Sequence, residues 1–158
     1  MPVLPLLQIF LASLWVGGAL MIGYLAVPVI FSTLATDRYL AGTIAGNIFG
    51  VLSWSGLGIG AILLVSFYSR YETSPKRQTR IRLVLANMVL IAINHFVLSP
   101  LIVVARAQRA AGDKDAAVQF AWLHGGASLL FLVASILGVW LLVHLLRYVP
   151  RNRDQGCT

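Results

Sequence analysis

The sequence predicts an all-α integral membrane protein, a four-helix bundle that occupies the chain as a single domain. Three observations predict it: four long apolar runs, a composition too apolar for a soluble globule, and an uneven distribution of basic residues. Hydrophobic residues make up 59% of the 158 residues, and charged residues make up only 11%. A soluble protein of this size needs more polar surface, so the composition indicates that lipid surrounds the chain.

The four apolar runs, here called spans 1 to 4, are long enough to cross a bilayer. They are Leu4–Leu34, Ala41–Phe67, Ile81–Ala105 and Val118–Leu146. Apart from Arg82, the second residue of span 3, none contains Asp, Glu, Lys or Arg. Each exceeds the ~20 residues that a helix needs to cross ~30 Å of hydrocarbon. Because backbone groups in lipid must pair within their own segment, these runs are predicted to be helices.

The charge distribution predicts that both termini lie in the cytoplasm, the N-in/C-in topology. The net charge is +7. The basic residues between spans 2 and 3 and after span 4 are Arg70, Lys76, Arg77, Arg80, Arg82, Arg147, Arg151 and Arg153, whereas the other two connections carry Arg38, Arg106, Arg109 and Lys114. The positive-inside rule places the more basic side in the cytoplasm, which indicates a multi-pass protein of a bacterial inner membrane. The charges orient the chain and contact anionic lipid, and they do not indicate nucleic-acid binding.

Glycines and prolines give the spans local features. Gly42, Gly46 and Gly50 repeat every fourth residue in span 2. Such stripes let membrane helices approach closely, so we expect these glycines to pack against the other spans or, alternatively, against a second copy. Pro28 in span 1 and Pro100 in span 3 each remove a helical hydrogen bond and predict a kink or break.

Two intramembrane histidines are the strongest candidates for a site, because polar side chains in lipid are costly. His95 lies ~15 Å from the outer end of span 3, and His124 lies ~9 Å from that of span 4, at 1.5 Å per residue. If these spans are antiparallel neighbours, both imidazoles lie at similar depth. Together they suit a haem b iron or a copper ion, and Met21 could add a thioether ligand for Cu(I). The alternative is no cofactor, with both histidines bridging helices through hydrogen bonds.

Motifs of soluble catalysis are absent from the sequence. It contains no Walker motif, HExxH, CxxC or nucleophile elbow, and no carboxylate lies within a span. The lack of an intramembrane acid disfavours a proton-coupled transporter. We therefore assign no catalytic residue from the sequence, and whether the protein is an enzyme is left open.

Several short motifs resemble the transmembrane protein 205-like family over nearly the whole chain. They are Trp15-Val-Gly-Gly18, Pro28-x-x-Phe31, the glycines and phenylalanine of Gly42–Phe49, Asn94 with Pro100, and Leu123-His124-Gly125 with Ser128. This resemblance implies a four-helix membrane fold more than an activity. The chain is also distantly similar to the membrane part of copper-resistance protein D, a family linked to copper, and to the HemJ-type protoporphyrinogen oxidases, a family linked to haem.

The chain departs from the HemJ-type pattern at two places. Gln8 stands where that family has a histidine, and Gly23, Tyr24 and Leu25 stand where it has basic residues. A haem or copper site in this chain is therefore expected at His95 and His124. Two hypotheses follow: a small protein that binds haem b or copper between spans 3 and 4, or a cofactor-free structural or accessory subunit. Either is expected to work as a homo-oligomer or within a larger membrane complex.

Overall fold

A computed structural model describes residues 3–68 and 75–147, which form a bundle of four membrane-length helical spans. The helical segments are α1 (Val3–Met21), π1 (Ile22–Ala26), α2 (Val27–Thr33), α3 (Arg38–Tyr68), α4 (Pro75–Ala92), π2 (Ile93–Leu98), α5 (Ser99–Ala110) and α6 (Lys114–Leu146). Span 1 comprises α1, π1 and α2; α3 is span 2; α4, π2 and α5 form span 3; α6 is span 4. The described residues contain no strand, and all four spans are long and apolar enough to cross a membrane, so the predicted fold class is confirmed.

Three helical spans extend clearly beyond their apolar runs. Spans 2, 3 and 4 begin at Arg38, Pro75 and Lys114 rather than at Ala41, Ile81 and Val118, and span 3 ends at Ala110 rather than at Ala105. Long basic side chains at the ends of a membrane helix reach the headgroup region while their stems stay in apolar surroundings. Hydropathy therefore marks only the part of each helix that crosses hydrocarbon. The N-in/C-in orientation stays a prediction.

The four spans pack as a ring. Each span contacts the spans before and after it in the chain, and span 4 also contacts span 1. Helix α6 contacts α1, α4 and α5, and α3 contacts α1 and α4. The half of the bundle that carries the termini, here called the closed end, has a continuous apolar core. Its buried members are Ala12, Leu63, Phe67, Leu83, Val84, Leu141 and Leu145. Gln8 is buried beside this core and donates a hydrogen bond of 3.0 Å to the Ser66 hydroxyl.

The opposite half, here called the loop end, carries the short connections 34–37 and 111–113. Here α2 packs mainly against α3, and α5 packs against α6, with few contacts between these two helix pairs. Many large apolar side chains on the outside of the bundle are exposed, as expected for helices in lipid. The bundle is thus closed at one end and separates into two helix pairs at the other.

The π segments lie immediately before the two prolines of spans 1 and 3. Because proline lacks an N–H and its ring clashes with the carbonyl four residues earlier, the α-helical ladder cannot continue unchanged. The Val27 N–H instead donates to the carbonyl of Ile22, and the Ser99 N–H donates to that of Asn94. Spans 1 and 3 run in the same direction, so both π segments lie in the half of the bundle that separates. Such π bulges are frequent at functional sites.

Candidate functional site

The loop end contains a cavity of about 990 Å³ that all four spans line. The lining runs along the spans from Trp15 to Phe31, from Arg38 to Ser53, from Leu90 to Ala110 and from Phe120 to Gly138. Most lining residues are aliphatic, aromatic or glycine. Ligand pockets in proteins commonly enclose ~300–1,000 Å³ and combine an apolar wall with a few polar groups, so this cavity is the candidate site.

The glycines of span 2 form part of the cavity wall. Gly42, Gly46 and Gly50 all line it. A Cβ atom on Gly46 would have no neighbour within 4 Å, while one on Gly50 would lie 4.0 Å from the His95 ring. At Gly42 the near neighbour is the guanidinium of Arg106, with its Cζ 3.1 Å from a Cβ position. In the monomer these glycines therefore border open space and polar side chains.

His95 lies in π2 and forms part of the cavity wall, where its ring faces span 2. Its ring makes an edge-to-face contact with Trp54, with ring centroids 5.6 Å apart, and a second with Phe96 at 4.8 Å. Neither imidazole nitrogen makes a hydrogen bond with the described residues. The ring is thus held by aromatic packing, and its nitrogens are available to another group.

His124 lies in α6 on the same cavity. Its imidazole stacks on Phe120 with centroids 5.5 Å apart and the two planes at 6°. Arg106 of span 3 lines the same cavity. The backbone carbonyl of His124 accepts a hydrogen bond of 2.9 Å from the Ser128 hydroxyl.

A direct hydrogen bond gives the relative depth of the two histidines. The Asn94 side chain donates to the carbonyl of Ala127 at 3.2 Å, so these residues lie level on antiparallel spans. His95 is one residue nearer the loop end than Asn94, and His124 is three residues nearer than Ala127. At 1.5 Å per residue, the two histidine backbones differ in depth by only ~3 Å.

Met21 is separate from this arrangement. Its side chain is 59% exposed, and it is not among the residues that line the cavity. No group of three or more His, Cys, Asp or Glu side chains that could hold a metal ion occurs within residues 3–68 and 75–147. The donors that the structure brings to one cavity are therefore the two imidazoles.

Three arginines surround the cavity mouth: Arg38, Arg106 and Arg109. Arg106 extends from span 3 to Gly42 of span 2, and Tyr39 also lines the cavity. The guanidinium of Arg109 lies over the Phe120 ring, 5.2 Å from its centroid. From the sequence, these residues are expected to orient the protein and to contact anionic lipid, but not to line a cavity. The signal that could have identified Arg106 is its position within the last turn and a half of a membrane helix, where basic side chains can turn toward the bundle interior.

Sequence reasoning also missed Trp15 as the floor of the cavity. Its indole lies between span 2 and span 4, against Gly56 and Gly138. The indole nitrogen is buried and has no hydrogen-bond partner among the described residues. The Trp-x-Gly-Gly motif contains this residue, but the side chain meets glycines of other spans rather than Gly17 or Gly18.

One protein family matches the chain by sequence. Its model, described as a domain of unknown function (DUF4149), matches residues 10–111. The matched segment includes His95, Arg106 and the span 2 glycines, and it ends before α6, which carries His124. No curated protein and no solved structure matches the chain.

Proposed function

We propose that this chain, which belongs to the DUF4149 family of unknown function, is a membrane protein that binds a small amphiphilic molecule inside its bundle. The observation that carries the proposal is the cavity of about 990 Å³ between the separated helix pairs of the loop end. A bundle with only a structural role is expected to fill its interior with side chains rather than to enclose a cavity of this size. The apolar core of the closed end holds the spans together while the loop end accommodates the ligand.

The chemistry of the wall favours an amphiphile. The deep part of the cavity is bounded by Trp15, Phe49, Phe131 and aliphatic side chains, which suit an apolar body. The mouth carries arginine and tyrosine side chains, which suit a polar end near the membrane surface. A molecule with both parts matches the cavity along its length, as pockets with an apolar wall and a few polar groups typically do.

Haem b is a second candidate, favoured by the two histidines in one cavity wall. Their backbones lie at nearly the same depth, and neutral imidazole is an axial ligand of haem iron. The arginines at the mouth would pair with the carboxylates of the porphyrin. Copper would have His95 and His124 as its ligands without Met21, which does not line the cavity.

The alternative function is a cofactor-free structural or accessory subunit. Assembly as a homo-oligomer and location in a bacterial inner membrane remain predictions under either function. Ligand binding and a structural role make different predictions for Gly46. If Gly46 borders a ligand, filling its space displaces the ligand and leaves assembly intact. If Gly46 instead packs against a partner, the same change disrupts the assembly.

The test compares two glycine variants of α3. Gly46→Leu places a side chain in open cavity space, whereas Gly58→Leu places one at an exposed site outside the cavity, and neither Cβ meets an atom within 4 Å. Protein purified in mild detergent is analysed for bound molecules by native mass spectrometry and by absorption. We expect a bound molecule in wild type and Gly58→Leu, and its loss in Gly46→Leu. Wild-type protein without any bound molecule, or equal retention in both variants, would contradict the proposal.

A further inference from the structure

We infer that the cavity ligand carries an anionic head, a phosphate or a carboxylate, and that Arg106 binds it at the mouth. The inference rests on the proposed function, since it concerns the same cavity. It adds the class of the ligand: an anionic lipid whose acyl chains occupy the apolar part of the cavity. Four observations about the mouth support it.

The first is the position of Arg106. It lies four residues before the end of α5, ~6 Å below that end at 1.5 Å per residue. Its side chain crosses to span 2, where Nε and Cζ each lie 3.1 Å from the position that a Cβ on Gly42 would take. Glycine at this position therefore leaves room for the guanidinium. The charged group lies across the mouth between the two separated helix pairs.

The second is the absence of a carboxylate partner for this cation among residues 3–68 and 75–147. No ion pair joins Arg106 to an Asp or Glu side chain there, and its guanidinium lies beside Gly42, which offers no side chain to pair with it. A guanidinium at a membrane interface is stabilised by an anion that accepts its hydrogen bonds. The anion that pairs with Arg106 therefore comes from another molecule.

The third is the use of the nearby carboxylates as helix caps. Asp37 accepts a hydrogen bond of 2.9 Å from the Leu40 N–H at the start of α3. Asp113 accepts hydrogen bonds from the N–H groups of Asp115 and Ala116, at 2.9 and 3.2 Å, at the start of α6. These side chains cap helix N-termini, and within residues 3–68 and 75–147 neither forms an ion pair with an arginine.

The fourth is the presence of two further arginines. Arg38 and Arg109 also line the cavity, and both are exposed at the loop end. Planar guanidinium groups bind phosphate and carboxylate through paired hydrogen bonds. With three such groups at its mouth, the cavity discriminates in favour of an anionic head over a neutral one with the same apolar body.

The experiment compares two lipids with identical acyl chains in delipidated full-length protein. Dioleoyl-phosphatidylglycerol supplies the anionic head, dioleoylglycerol is its neutral counterpart, and native mass spectrometry measures binding of each. Arg106→Gln removes the charge and Arg106→Lys keeps it. Arg82→Gln is the matched control, because it removes one charge from an exposed site at the other end of span 3.

We expect wild type to bind one phosphatidylglycerol per chain and to prefer it over dioleoylglycerol. Arg106→Gln should weaken phosphatidylglycerol binding about tenfold or more, the effect of losing a charged hydrogen bond. Arg106→Lys should lose less, and Arg82→Gln should bind as wild type does. Unchanged dioleoylglycerol binding by Arg106→Gln will show that this variant is folded.

Other outcomes separate the two proposals. Equal binding of both lipids by wild type, or equal losses in Arg106→Gln and Arg82→Gln, would overturn the anionic head and leave the cavity ligand standing. Failure of both lipids to bind saturably would overturn the proposed function itself. Inorganic phosphate distinguishes the sources: displacement of phosphatidylglycerol by millimolar phosphate would overturn a lipid source and assign the subsite to free phosphate, whereas resistance to it supports a lipid.

Discussion

The indole of Trp15 lies directly against Gly56, so that a Cβ on this glycine would overlap the indole nitrogen. On the other side, a Cβ on Gly138 would lie 3.1 Å from Cζ3 of the same ring. Span 1 therefore inserts its tryptophan between glycines of span 2 and span 4. This contact separates the packed core from the cavity and allows a large side chain to serve as the cavity floor.

Replacing Gly56 by alanine should destabilise the protein, because the added methyl group would overlap the Trp15 indole and force the ring or the helix to shift. Overpacking of this kind costs ~1–3 kcal/mol. Gly58→Ala, two residues along the same helix, adds a methyl group that meets nothing within 4 Å and should leave stability unchanged. Equilibrium unfolding in mixed detergent micelles measures both variants, and equal stabilities would show that Trp15 is free to shift.

The hydrogen bond from Asn94 to the Ala127 carbonyl should contribute modestly to the packing of span 3 on span 4. Asn94→Ala is expected to lower the free energy of unfolding by ~0.6 kcal/mol and by no more than ~1.7, the range of such bonds in membrane proteins. Asn47→Ala is the control, because Asn47 is exposed and makes no hydrogen bond to the described residues. The same unfolding assay measures both variants. An equal loss of unfolding free energy in the two would show that this hydrogen bond does not stabilise the packing of span 3 on span 4.

The haem candidate makes a spectroscopic prediction. Protein purified gently from its native membrane should show a Soret band, and His95→Ala and His124→Ala should each remove it by deleting an axial ligand. His144→Ala should retain the band, because His144 stacks on Trp140 near the other end of α6 and does not line the cavity. A spectrum and metal content that survive both cavity substitutions would exclude haem and copper at these histidines.

The spans and the cavity differ in how far the sequence predicts them. Hydropathy and backbone hydrogen bonding are properties of each segment by itself. The four spans can therefore be predicted from apolar runs such as Ala41–Phe67. The cavity depends on how the segments meet. The repeat at Gly42, Gly46 and Gly50 suggests close helix packing, yet Gly46 lines the cavity and a Cβ there would meet no atom within 4 Å. Which face of a glycine stripe packs and which borders a cavity depends on tertiary packing, and the spacing alone does not reveal it.

The histidines show the same limit. Their matched depth follows from helix rise and from short connections, and the hydrogen bond from Asn94 to Ala127 agrees with it. The orientation of each ring depends on local partners that spacing does not reveal. His95 packs against Trp54 of span 2, whereas His124 packs against Phe120 of its own helix.

The side of the membrane on which the cavity opens follows from the predicted topology. N-in/C-in places the loop end, with its arginines, on the outer side of a bacterial inner membrane. Cys157, the only cysteine of the chain, provides a marker for the opposite side, although it lies outside the described residues. In Cys157→Ser protein, Ala111→Cys would place a thiol on the exposed connection between α5 and α6.

We expect a membrane-impermeant maleimide to label the Ala111→Cys thiol in intact spheroplasts and to label native Cys157 only after permeabilisation. Eight of the twelve basic residues flank the predicted cytoplasmic ends, which is the asymmetry that orients membrane helices. The reverse labelling would contradict N-in/C-in and place the cavity mouth at the cytoplasmic leaflet. The arginines at the cavity mouth would then lie at the cytoplasmic leaflet, whose anionic lipids give it a negative surface potential, and Arg106 would bind a ligand from that leaflet.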